Sequence, residues 1–218
     1  MHRSLLLSIA TLALCFAGNA FARGADIDKV NGSIHVETGQ QVGKLSTVNG
    51  SIHIGDAAGA GKVSTVNGGI TLGDRANADS LDTVNGGIVL DTHAAVAKTI
   101  ETVNGSIQLD EGADVTGRVS NVNGHITLDA AHVGGGIGTV SGDIDIGANS
   151  KVEGGILVDK SHSWFNWGEH KPRIVIGPHA VVQGTLEFRR EVDLFVSDSA
   201  TIGSVTGATA KKFSGDHP

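Results

Sequence analysis

In 218 residues the chain carries 23 Asp and Glu against 16 Lys and Arg, a formal charge of −7, and it has a single cysteine. An acidic chain with no cluster of basic and aromatic residues makes a poor nucleic-acid ligand, and one cysteine excludes an internal disulfide and a cysteine-built zinc site. Glycine is abundant, at 32 residues, and aromatics make up only 4%, so a core has to be aliphatic and corners have to be tight.

Residues 1–22 read as a secretory leader. His2 and Arg3 give the basic start, and Leu5 to Ala17 gives an apolar segment too short to span a bilayer. Ala20-Phe21-Ala22 fits a small-x-small cleavage site, with Arg23 as the first mature residue. Cys15 invites a lipoprotein reading, but Leu14 precedes it where such signals place a small residue. No later run is long and apolar enough to cross a membrane. The expected location is extracytoplasmic: secreted, in the periplasm or at the cell surface.

From residue 24 to 147 one phrase recurs, as in Thr47-Val48-Asn49-Gly50-Ser51-Ile52-His53-Ile54. Its Asn falls at Asn31, Asn49, Asn67, Asn85, Asn104 and Asn123, with Ser141 in the next place, at steps of 18 or 19 residues. Three and five residues after each Asn stand aliphatic columns, Ile34 to Ile144 and Val36 to Ile146. Between them runs a mixed column that starts at His35 and His53. Apolar, variable, apolar marks a strand with one buried face. A constant Val precedes the Asn (Val30, Val48, Val66, Val84, Val103, Val122, Val140), and a further aliphatic stands four residues before it. Both columns are expected inside.

One such repeat cannot offset its ordering entropy, whereas stacked copies can. The fold class expected is therefore all-β: a single-stranded parallel β-solenoid with about 18 residues per coil, right-handed by the usual crossover rule. Its rise is about 4.8 Å per coil. Gly after each Asn is expected to supply positive φ, and stacked Asn side chains are expected to bond along the rod. The rival is a hairpin at each Asn-Gly. Asp56-Ala57-Ala58-Gly59-Ala60-Gly61 reads as a small-residue third side of a coil.

The period breaks after Gly147. Residues 148–206 read as irregular coils, so the solenoid domain is expected over 23–206. Glu153-Gly154-Gly155-Ile156-Leu157-Val158 resembles Asn85-Gly86-Gly87-Ile88-Val89-Leu90 and suggests a coil that is shortened, or shifted by one side. An aromatic insertion, 161–171, holds Trp164, Phe165, Trp167, His162 and His170. Residues 207–218 read as a polar tail.

The Val-Asn-Gly-Ser-Ile repeats resemble the short β-strand repeats of adhesin-like secreted bacterial proteins. Ile176-Gly177-Pro178-His179-Ala180-Val181-Val182-Gln183-Gly184 resembles the coils of bactofilins, the polymer-forming β-helical scaffolds. The two resemblances imply architecture rather than chemistry.

Four groups of residues invite a functional reading. Trp164, Phe165 and Trp167, with His162 and His170, would suit stacking on sugar rings, or else cover the rod. His35 and His53 stack on adjacent coils, about 5 Å apart, but lack a third metal ligand. Asp91, Asp110 and Asp129 form an acidic column six residues after each Asn, a weak cation candidate, with Asp143 and Asp145 as a second patch. Thr47, Thr65, Thr83, Thr102 and Thr139 form a file of the kind ice-binding solenoids expose, though Thr also suits any strand. No cofactor is expected. The expected role is a non-enzymatic structural or adhesin-like scaffold whose partner is itself, end to end, or envelope glycan. A carbohydrate-binding module using Trp164 and Trp167 is the alternative, and a polysaccharide-acting enzyme the third class.

Overall fold

The computed structural model describes residues 24–160 and 170–218. Every paired strand in them runs parallel to its neighbours one coil away, and no helix occurs among them. Two sides of each coil show this directly. On side one the register carries Ile27 onto Leu45, Val63, Leu81, Ile100 and Val119. On side two Ile34 sits on Ile52, then Ile70, Ile88, Ile107 and Ile126, in a sheet of 10 strands that follow one another in chain order. Ten strands on one side mean about ten coils. The hairpin rival fails here: Leu45–Asn49 and Ile52–Ile54 belong to different sheets, and each pairs with its counterpart in the next coil.

The core is the stack of these columns. Leu45, Val63, Leu81, Ile88, Leu90, Ile107 and Leu109 are all fully buried. Each such side chain contributes about 1.5–3 kcal/mol by leaving water. Side three is narrower. Ala58, Ala76, Ala94 and Ala113 lie fully buried at its corner, followed inward by Val96, Val115, Val133 and Val152. Small residues fit there because the chain turns sharply back towards side one.

Two expectations about the repeat are corrected. Counting alternately from the buried Leu45, Thr47 points in and Val48 points out. Thr47, Thr65, Thr83 and Thr102 are buried, whereas Val30 and Val48 are 68% and 41% exposed and Val66, Val84, Val103 and Val122 are close to the latter. A threonine is tolerated inside because its hydroxyl is satisfied. Thr47, Thr65, Thr83 and Thr102 donate to the carbonyls of Gly32, Gly50, Gly68 and Gly86 in the preceding coil, at 2.9–3.1 Å. A buried file offers no array to ice.

The glycine column has a different cause from the one expected. Of the corner glycines only Gly32 and Gly124 have left-handed φ, at 104° and 120°. Gly50, Gly68, Gly86 and Gly105 do not, but a Cβ on any of them would overlap the carbonyl oxygen of the corner glycine one coil earlier. At this corner successive coils approach too closely to admit a side chain. The Asn ladder stands as expected: Asn49 donates to Asn31, Asn67 to Asn49, Asn85 to Asn67, Asn104 to Asn85 and Asn123 to Asn104, at 2.9–3.0 Å.

After Gly147 the coils continue without shortening. Ile156 pairs with Ile137 on side one, not with Ile144 on side two. The likeness of 153–158 to 85–90 is thus a coincidence of composition: the coil is neither shortened nor displaced, and Ile156–Val158 belongs to side one. The longer connection lies between Ile156–Val158 and Arg173–Ile176, where regular coils place Asn-Gly. The polar tail is also corrected. Ala210–Phe213 forms a tenth strand on side two, paired with Asp193–Ser197.

Candidate functional site

Side two has an outward file that begins with His35 and His53, whose rings stack with centroids 5.0 Å apart and planes 4° from parallel. Farther along, the file reads Thr127, Asp145, Val175, Phe195 and Lys211. A neighbouring file reads His125, Asp143, Arg173 and Asp193. Two depressions meet over them. One of about 150 Å³ is lined by His125, Thr127, Asp143, Asp145, Arg173 and Val175. The other, about 640 Å³, shares Thr127, Asp145 and Val175 and adds Asp129, His179, Asp216 and His217.

Asp143 is the hinge of this region. One carboxylate oxygen accepts from the Arg173 backbone N–H at 2.8 Å and meets His170 Nε2 at 2.7 Å. The other lies 3.5 Å from His125 Nδ1. Arg190 then links the coils: its guanidinium donates to the Val140 carbonyl, the Ser141 hydroxyl and the His170 carbonyl, at 3.0–3.2 Å. It takes over the corner at Ser141, where the Asn ladder has ended. Asp145 keeps an exposed surface, but the depression it stands in removes enough water to raise its carboxyl above the ordinary range. His217, Arg173 and His125 partly oppose the rise. Phe195 carries Arg173 on one flank and Lys211 on the other, 5.3 and 5.1 Å from its centroid.

Of the expected site residues, His170 is brought here, and Trp164, Phe165, Trp167 and His162 lie outside the described residues. Asp91, Asp110 and Asp129 stack in one column on consecutive coils, each donating its backbone N–H to a side-two carbonyl of the coil before. Burial first, and then Asp110 and Asp74, raise the Asp91 carboxyl. Gln108 donates to Asp110 at 2.7 Å. No group of three His, Cys, Asp or Glu arranged to hold a metal occurs among the described residues.

Sequence reasoning missed Arg173, Val175, Arg190, Asp216 and His217, which join Asp143 and Asp145 only through stacking. It also missed the exposed Val column, although strict alternation from Leu45 would have found it.

The fold and register define a parallel β-solenoid repeat protein. No protein family, curated protein or solved structure compared with the chain matches it. No helix among the described residues is long and apolar enough to cross a membrane.

Proposed function

We propose that this is a secreted, non-enzymatic β-helical scaffold, adhesin-like in its repeats and bactofilin-like in its later coils, that presents its side walls to envelope glycan. The observation that carries this reading is where the recurring polar side chains go. The Asn residues from Asn31 to Asn123 bond one another from coil to coil, and Thr47, Thr65, Thr83 and Thr102 each bond a glycine carbonyl of the coil before. The repeat is spent on rigidity, which suits a rod more than a reaction. The test is co-sedimentation of the secreted protein with purified cell-wall sacculi, alongside an assay for released reducing ends. Retention without release supports the scaffold. Release in proportion to protein would replace it with the polysaccharide-acting enzyme, and no retention removes the glycan partner.

A second reading, a carbohydrate-binding module, is favoured by one feature. The connection that carries Trp164 and Trp167 ends at Arg173, which lines the depression with Asp143 and Asp145. Mixed acids, a guanidinium and an apolar Val175 floor are the groups that hold neutral sugars. Trp164→Ala should then abolish retention on glycan beads while leaving the melting temperature unchanged. Retention equal to wild type would remove this reading.

A further inference from the structure

The interior columns run unbroken along the rod and then stop in the same way at both ends. On side two, the column Val36, Ile54, Leu72 and onward to Val196 is aliphatic and fully buried at every coil. The next coil places Lys212 on Val196. On side one, the inward column is Thr47, Thr65, Thr83 and Thr102, and Lys29 stands in register with Thr47 in the first coil. Both lysines are exposed where their column-mates are buried. Lys29 lies across the end, its Nζ donating to the Ser33 carbonyl at 2.7 Å. The first coil's carboxylates are turned to other groups, Glu37 facing His35 at 3.8 Å on the outer wall. Asp26 accepts from the Lys44 backbone N–H at 2.7 Å, and Asp28 lies 3.5 Å from Lys44 Nζ.

We infer that Lys29 and Lys212 are gatekeepers that stop the rod from stacking on a second copy of itself. The two end faces otherwise match. Continuing the side-two register from one rod into the next would place Ala210 on Ile34 and Lys212 on Val36. Continuing side one would place Val205 on Ile27 and Gly207 on Lys29. The apolar positions agree, and the strand edges would pair in parallel. Each such junction would, however, bury two ammonium groups with no carboxylate opposite, which is among the costliest things an interface can do. An inward-pointing charge on an edge strand is a recognised way to keep sheets from joining. The end-on partner that fits is this chain itself, and the two lysines exclude it. This goes beyond the scaffold reading, since a lateral scaffold works with closed or open ends.

The test is sedimentation of the secreted protein across a hundredfold range of concentration. The wild type should sediment as one chain throughout. Lys29→Thr with Lys212→Val restores both columns and should give rods that lengthen with concentration at constant width by electron microscopy. Lys29→Arg with Lys212→Arg keeps both charges and should stay a single chain. A wild type that forms end-to-end rods overturns the inference. So does a Thr/Val variant that stays a single chain with a wild-type melting curve, or that grows into particles wider than one rod.

Discussion

Gly86→Ala tests the close approach of coils at the corner. The new methyl would overlap the Gly68 carbonyl oxygen outright, so the third and fourth coils must part locally. Three bonds join them there: Gly68 N–H to Asn85 O at 3.1 Å, the Thr83 hydroxyl to Gly68 O at 3.0 Å, and the Asn85 amide to Asn67 at 3.0 Å. Losing two or three of them, at about 1 kcal/mol each, and adding about 1–3 kcal/mol of overpacking strain, puts the cost at about 3–6 kcal/mol. The control is the adjacent glycine. A methyl on Gly87 meets only the Ser106 carbonyl, at 3.3 Å, and Ser occupies the same position at Ser33, Ser51 and Ser106. Gly87→Ala should cost less than about 1 kcal/mol. Because Gly86 lies outside the left-handed region, Gly86→Asn should be as damaging as Gly86→Ala. Urea unfolding followed by circular dichroism reads all three. Equal midpoints for the two alanine variants, or rescue by Asn, would refute the close-approach argument.

Ile88→Asp places a charge in a fully buried column and should cost several kcal/mol, about 3 or more. Thr71→Asp, in the outward file beside it, should cost less than about 1 kcal/mol by the same denaturation. Asn-Gly pairs deamidate when the glycine nitrogen attacks the Asn side chain. Here the nitrogens of Gly50, Gly68, Gly86 and Gly105 are each bonded to the next coil's Asn carbonyl, at 3.0–3.1 Å. Mass spectrometry should therefore show slow deamidation in the folded protein and fast deamidation in urea, and equal rates would contradict the ladder. Asp91 has a raised carboxyl pKa, so it favours folding while protonated, in acid, and loses that contribution as pH rises through its folded pKa. Asp91→Asn should stabilise at neutral pH by about 0.5 kcal/mol, allowing for solvent screening of a half-exposed group. The gain should vanish below the ordinary carboxylate range, as melting curves at the two pH values would show.

The solenoid is legible in the chain, because its period and its columns are local properties of the sequence. Ile34, Ile52 and Ile70 recur at one spacing, and only stacking gives equal spacing a common burial. The Asn ladder followed from the same count. The tertiary structure alone decided what the close approach of coils does. Thr47 points inward by alternation from Leu45, but the Gly32 carbonyl that satisfies its hydroxyl is brought there only by the preceding coil, and Gly86 is glycine because another carbonyl already occupies its Cβ position. Ile156 went to side one, since its partner Ile137 lies a full coil earlier. Asp143 joins Arg173 and His170 across a separation of 27–30 residues. No pattern within one repeat encodes those contacts, because each is set by the coil above or below.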